Sequence, residues 1–263
     1  MNDENEDYVV SGSVQRVEQR TPCIPSLQDL PDLDTFDLDF SPAGQLIRVT
    51  HYLGSGAIAE LERHVYDDTG RLLRTSRFDR DDVRRLTHEV EYDVEGQCIG
   101  WTKYDATGAV AGHCVQRYAG GLLTSKAVSQ ASGVSVLEKK FQYEGTTLTK
   151  SVHRYYSQNG GLSETWIALY DSCGRLTETF GLTAAGDPLG DGRYRMEYDA
   201  KGRKVKTLSF NDWANENTPN AISIYEYLDD ETGNWIERLT HHRFRNNSRW
   251  RTDSTKRKIS YYP

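Results

Sequence analysis

Residues able to do chemistry are few and scattered in this chain. The run from Asp32 to Asp39 (DLDTFDLD) places carboxylates at Asp32, Asp34, Asp37 and Asp39, a spacing that could offer oxygen ligands to calcium. It lacks the mid-loop glycine and the closing bidentate glutamate of a calcium loop, so it reads as a solvated acidic strand or arm, and no metal is expected. His241 and His242 are adjacent; in a strand they face opposite sides and do not readily share an ion. His113 and Cys114 alternate in the same way. The signatures GxxxxGK[ST], HExxH and GxSxG are all missing. Neither catalysis nor a cofactor is expected. The one carboxylate-bearing pair that recurs is Tyr-Asp, and recurrence suits a scaffold better than an active site.

That pair marks the elements of the chain. Tyr-Asp-x-x-Gly occurs at Tyr66–Gly70, Tyr92–Gly96, Tyr104–Gly108, Tyr170–Gly174 and Tyr198–Gly202, with degenerate copies at Phe40–Gly44, Tyr118–Gly121, Tyr143–Gly145 and Tyr227–Gly233. With Tyr104 set aside as a second turn within its repeat, the aromatics fall at 40, 66, 92, 118, 143, 170, 198 and 227, a period that drifts from 26 to 29. Asp at the first corner of a turn can accept backbone amides two and three residues on, and Gly supplies the positive φ that closes a tight hairpin. Tyrosine, with an apolar ring and a polar tip, suits a half-buried strand. Each repeat therefore reads as one hairpin, with turns at 67–70, 93–96, 171–174 and 199–202. Eight hairpins give an all-β antiparallel meander of about 16 strands, too wide to stay flat, and the expectation is a coiled single sheet or an incomplete barrel. Residues 57–65 and 80–91 have helix-forming composition, but their phase in the repeat assigns them to strands.

Composition agrees. The 263 residues include 16 Tyr and 22 Gly against two Met, and the net charge is −7. Four dispersed cysteines with no CxxC pair support neither a zinc knuckle nor a disulfide framework. The opening residues MNDENEDYVV have no basic and apolar signal, and no apolar run approaches the length of a membrane helix, which points to a cytoplasmic protein with no membrane association. Charge is polarised: residues 1–40 hold ten acids against Arg16 and Arg20, whereas residues 238–258 set eight bases against Asp253. Residues 1–37 read as an acidic segment with an opening strand, and 38–263 as one continuous repeat array.

These motifs resemble the YD-repeat (RHS-repeat) family. EYLDDETGNWIERLTHH (226–242) is similar to its recurrent EYDxxGNWxxR hairpin, KRKISYY (256–262) to the strand that follows it, and SGSVQRVEQRT (11–21) to the opening strand of small standalone members. The likeness spans nearly the whole chain, so the expectation is that no toxin or catalytic domain is appended. Large members enclose a cytotoxic domain in a hollow β-shell; for a small member the resemblance implies an immunity or accessory protein bound to a cognate toxin, or a structural or carbohydrate-associated protein.

Near-identical repeats cannot easily single out one partner, so specificity should lie where the pattern breaks. It breaks in the acidic stretch holding Asp32, Asp34 and Asp37, in the loop 211–220 with Trp213, and in 243–251 with Arg243, Arg245, Arg249, Trp250 and Arg251. Tryptophan and arginine are enriched at interface hot spots, which makes these nine residues the candidate partner-binding set. Two other duties are open to them: the tryptophans could cap an open sheet edge, or, with the arginines, hold a single nucleic-acid strand, which the acidic isoelectric point of about 5.6 disfavours.

Overall fold

The computed structural model describes residues 10, 12–20, 31–53, 55–211, 218–245 and 249–262, with the side chains of 31–34 and 191 left out. They form 18 antiparallel strands and no helix. In chain order these are β1 (Val14–Arg20), β2 (Pro31–Phe40), β3 (Leu46–Leu53), β4 (Ile58–Tyr66), β5 (Leu72–Asp79), β6 (Arg84–Tyr92), β7 (Cys98–Asp105), β8 (Val110–Ala119) and β9 (Leu122–Gln130). β10 (Ser135–Glu144), β11 (Thr147–Tyr156), β12 (Leu162–Tyr170), β13 (Leu176–Thr183), β14 (Pro188–Tyr198), β15 (Lys204–Phe210), β16 (Ala221–Asp229), β17 (Trp235–Phe244) and β18 (Arg251–Tyr261) complete them.

Each strand pairs with the next, and β1 pairs with β18 through Val17↔Ile259, Gln19↔Arg257 and their neighbours. The sheet is therefore a closed barrel. This corrects the expected coiled sheet or incomplete barrel of about 16 strands: the opening segment and the KRKISYY segment are strands in their own right, and their mutual pairing removes both edges. Residues 57–65 and 80–91 are strand β4 and most of β6 with the turn before it, as the repeat phase required. The boundary drawn at 37/38 falls inside β2, which pairs with β1 and β3.

One turn type recurs on both rims, with two-residue turns in its place at Gly120–Gly121 and Gly145–Thr146. Asp67 N–H donates to Arg71 O, and Gly70 N–H to Asp67 O, the pattern of a type I turn followed by a glycine bulge. Asp67 Oδ1 accepts the amides of Thr69 and Arg71, both at 2.9 Å, so the carboxylate bridges residues two and four on, not two and three. Asp171 and Asp199 repeat the arrangement. The turn glycines hold φ of +87° at Gly70, +83° at Gly96, +75° at Gly174 and +81° at Gly202. At the turn of Asp79–Asp82, Asp82 takes the glycine position with φ of +58°.

The motif tyrosines lock successive hairpins together. Tyr66 Oη donates to Leu46 O, Tyr92 to Leu72, Tyr118 to Cys98 and Tyr143 to Leu123, each twenty residues back, and Tyr198 and Tyr227 do the same to Leu176 and Lys204. The arginine after the glycine is bound by its own turn aspartate and lies over the next tyrosine: Arg71 over Tyr92 at 5.1 Å, Arg175 over Tyr198 at 5.2 Å and Arg203 over Tyr227 at 4.7 Å.

Side chains alternate in exposure along β4 and β8. In β4 the side chains of Glu62 and His64 are 14% and 12% exposed, whereas Arg63 between them is 47% exposed. The sheltered face carries the motif tyrosines and is the inner face of the barrel. At about 4.8 Å per strand the girth is roughly 86 Å, hence about 27 Å across before tilt. Side chains from opposite walls cannot fill that space, so the apolar core is local. Val14, Val17, Phe36, Leu38, Phe40 and Val49 form it at the β1–β2–β3 seam, with Val10, Leu46, Ile259 and Tyr261 against it.

A Cβ added at Gly174 meets nothing within 4 Å, so only the backbone conformation opposes a side chain there. Gly174→Val is expected to lower unfolding free energy by about 1–3 kcal/mol in urea titrations, and Gly174→Asn by less, since asparagine tolerates the left-handed region. Equal midpoints for both variants and the parent would refute the turn assignment.

Candidate partner-binding arc

The barrel has two rims. The motif turns, from 41–45 to 230–233, lie on one, and the other collects the remaining connections. On that second rim six are tight turns of four or five residues, from Leu53–Ala57 round to Thr183–Asp187, all with the same paired backbone hydrogen bonds. The other three are 211–220 between β15 and β16, 245–250 between β17 and β18, and 21–30 between β1 and β2. Around the closed ring these three are consecutive. Topology thus gathers the breaks in the repeat into one arc, although the first is 180 residues or more before the other two in sequence.

Arg243 is the last residue but one of β17, opposite Ile222, and its guanidinium lies 4.9 Å above the ring of Trp250. Trp250 is 43% exposed and Phe244 56%. Arg245 N–H donates to Asn220 O at 2.7 Å, tying the two loops together. Asn211, Asn220, Phe244 and Arg245 line an open hollow between them. Arg249 is exposed, and Arg251 makes a two-nitrogen contact with Asp253 Oδ1 at 3.1 and 3.0 Å. Of the nine candidates, Arg243, Arg245, Arg249 and Trp250 are thus exposed together at this rim, with Arg243 on Trp250, whereas Arg251, paired with His242, lies on the opposite face of the sheet from Arg243. Because the sheet is closed, Trp250 has no open edge to cap.

The acidic candidates divide. Asp32 pairs with Tyr52 at the same rim, and the register then slips between Asp32 and Phe36, so Asp34 falls in a bulge; the side chains of both lie outside the described residues, as does Trp213. Asp37 is buried and bound within the chain. Its carboxylate meets Arg16 at 2.5 Å, Arg20 at 2.7 Å and Tyr52 Oη at 2.6 Å. Burial alone would raise its pKa, but Arg20, Tyr52 and Arg16 together hold it below the usual carboxylate range, and the same contact with burial pushes Tyr52 up to about 12. Asp37 is a clamp across β1, β2 and β3 and presents nothing to a partner.

His241 and His242 point to opposite faces, with Thr252 and Ser223 as respective partners at 2.9 Å each. Sequence reading missed a polar group on the inner wall of β3–β7. His64 and His88 share one cross-strand row through Thr75, and the row continues to Lys103. Arg77 joins Glu62 at 2.8 Å and approaches Glu60 at 3.7 Å. His64 Nδ1 contacts Thr75 Oγ1 at 3.1 Å, and His88 packs edge-on against Trp101. Burial, reinforced by Arg77 at His64 and by Lys103 and Arg77 at His88, pushes both imidazoles down to about 4, and burial raises Glu62 despite Arg77. Parity with the motif tyrosine was the available signal: His64 and His88 stand two and four residues before Tyr66 and Tyr92, hence on the tyrosine face.

No family model matches the chain, and no curated protein matches it. Among solved structures, a porin-like protein from Bacteroides uniformis ATCC 8492 aligns over 94% of this chain and 96% of its own, at 10% identity and a TM-score of 0.49. A second, from Bacteroides vulgatus ATCC 8482, aligns over 96% and 100% at 12% identity and a TM-score of 0.40. The TcdB2-TccC3-Cdc42 structure aligns over 88% of this chain but 15% of its own, at 13% identity and a TM-score of 0.36. Likenesses this distant say nothing of activity.

The histidine row makes acid sensitivity a measurable property. In the folded chain His64 and His88 stay neutral down to about pH 4, whereas unfolded histidine takes up a proton near 6.5. Between those values the unfolded state binds more protons, so stability falls as pH falls from about 6.5 to 4, by about 1–2 kcal/mol per histidine at pH 5. The double variant His64→Gln, His88→Gln should lose clearly less urea resistance than the parent between pH 7 and pH 5. Parallel losses in the two proteins would contradict the burial of these rings.

Proposed function

We propose that this chain is a protein-binding module, most concretely an immunity or accessory protein that occludes the active site of a cognate toxin, and that the arc at the ends of β15–β18, β1 and β2 is its contact surface. The observation that carries the reading is the placement of the three irregular connections side by side on one rim. A uniform array of hairpins offers many equivalent turns and little to tell partners apart; an exposed aromatic with stacked arginine amid them is the composition of an interface hot spot. The toxin partner itself rests on the YD-repeat resemblance.

An aqueous setting is part of the same reading. A membrane barrel needs an outward apolar band about 25 Å tall. Here the outward positions include exposed Arg48, Arg63, Arg74, Glu89, Glu91, Arg117, Lys140, Glu226, Lys256 and Lys258, carried by β3–β6, β8, β10, β16 and β18. Lipid would leave all of these charges unsolvated, which favours a water-immersed cytoplasmic barrel over a porin-like one.

Affinity capture by the tagged chain from its native cell is the test. Trp250→Ala or Arg249→Ala should weaken capture of a specific protein by about 30-fold, the equivalent of about 2 kcal/mol, with an unchanged melting temperature. Val94→Asp, at a fully exposed motif turn of the opposite rim, should leave capture intact, and coexpression should relieve the toxicity of the captured protein. Equal capture by all variants, or early unfolding of the Trp250 variant, would remove the arc from consideration.

A further inference from the structure

Charge is distributed unevenly along the rim arc. At its β16–β18 end, Arg243 and Arg245 stand two residues apart, about 6.6 Å along an extended strand. Among the described residues, neither guanidinium meets a carboxylate. Arg243 lies over Trp250, its guanidinium carbon 4.9 Å from the ring centre, a contact that uses the face of the group and leaves the N–H groups in its plane to donate elsewhere. Arg245, with Asn211, Asn220 and Phe244, lines the open hollow at the strand end, about 370 Å³ in volume. Asp253 is taken by Arg251 on the face opposite Arg243. The acids Asp32 and Asp34 belong to β2, three strands round the ring from β17. That is about 14 Å at about 4.8 Å per strand, farther than the ~8 Å Debye length at physiological salt, so they do not neutralise the arginines.

The hollow also carries an unmet acceptor. Asn220 N–H donates to Ser209 O and its carbonyl accepts Arg245 N–H, while its side-chain Oδ1 is buried with no hydrogen-bond partner, a state that costs stability until a donor arrives. Guanidinium donors, an amide acceptor and the exposed ring of Phe244 together complement a peptide: carboxylates for the arginines, a backbone N–H for Asn220 and an apolar group for the ring. We infer that the arc, taken as the contact surface proposed above, receives an acidic extended segment of the partner protein, with carboxylates two residues apart on Arg243 and Arg245 and a backbone N–H on Asn220 Oδ1. Alternate side chains of an extended segment recur at the spacing of the two arginines, and guanidinium with carboxylate makes the strong, geometrically selective form of ion pair. A nucleic-acid strand is charged along its whole length and would run on to the acids of β2, whereas a short acidic segment ends before them.

The test is fluorescence anisotropy of three dye-labelled probes titrated with the full chain: the peptide Glu-Ala-Glu-Ala-Glu-Ala, its glutamine counterpart, and a short oligothymidylate. The acidic peptide should bind at least tenfold more tightly than the glutamine one, and added salt should weaken it. Arg243→Gln and Arg245→Gln should each weaken the acidic peptide at least fivefold, and Asn220→Leu should weaken it without lowering the melting temperature. Arg245→Lys keeps the charge and should keep most of the binding, which separates a folding defect in Arg245→Gln from loss of the ion pair. Arg74→Gln, at an exposed arginine on β5, should change nothing. Equal binding of the acidic and glutamine peptides, tighter binding of the oligothymidylate, or an Arg74→Gln loss as large as that of Arg245→Gln would overturn the acidic occupant. A cellular partner whose capture is lost in Trp250→Ala, with no binding of the acidic peptide, would overturn it too and leave the arc standing as the contact surface. Acidic-peptide binding with the expected variant losses but no captured partner would uphold the acid selectivity and remove the toxin reading.

Discussion

The hydrogen bond from each motif tyrosine to a carbonyl one hairpin back governs the rest of the structure. It spans two strands, so it fixes both the spacing between repeats and the face on which the ring lies. A net contribution of about 0.5–1.5 kcal/mol per bond, repeated at six tyrosines between Tyr66 and Tyr227, couples hairpins that have little apolar core to share. The drift in repeat length is absorbed within the same bond: the reach is 20 residues for Tyr66 to Tyr143, then 22 for Tyr198 and 23 for Tyr227. The Tyr170 hydroxyl also meets Ser151 Oγ at 3.1 Å.

Closure is the second constraint, and it uses different chemistry. At the seam the chain cannot rely on repetition, because β1 and β18 come from opposite ends of the sequence. The small apolar core lies there, Asp37 clamps β1 to β2 and β3, and Arg257 packs 3.5 Å from the ring centre of Trp235 while its Nε donates to Gln19 across the seam. Tyr262 Oη reaches Phe40 O, extending the tyrosine ladder over the joint. Burial in this protein is concentrated where the ring must be joined, and the remaining wall is held by strand pairing and the tyrosine bonds.

Much of this was legible in the sequence, for identifiable reasons. Tyr-Asp-x-x-Gly names its own turn, since only glycine or an exceptional residue such as Asp82 takes the positive φ, and the repeat phase outweighed the helical composition of 57–65 and 80–91. Closure was not legible. SGSVQRVEQRT and KRKISYY each looked like a single strand, and nothing local says that two strands about 240 residues apart are hydrogen-bonded partners. The same blindness to ring order hid the adjacency of the 21–30, 211–220 and 245–250 connections, and it made Asp37 look like a surface acid. The inner row of His64 and His88 needed a register around the barrel that single strands do not reveal.

A closed ring of like hairpins has no edge to defend, and its three departures from the pattern stand side by side on one rim. That adjacency depends on β1 and β18 being joined. Amide hydrogen exchange along these two strands measures the joint directly: Val17, Gln19, Arg257 and Ile259 should exchange as slowly as the interior amides of β4 and β5. Exchange at the rate of a frayed terminus in β1 and β18, with β4–β13 still protected, would mean an open sheet and would contradict the closed barrel.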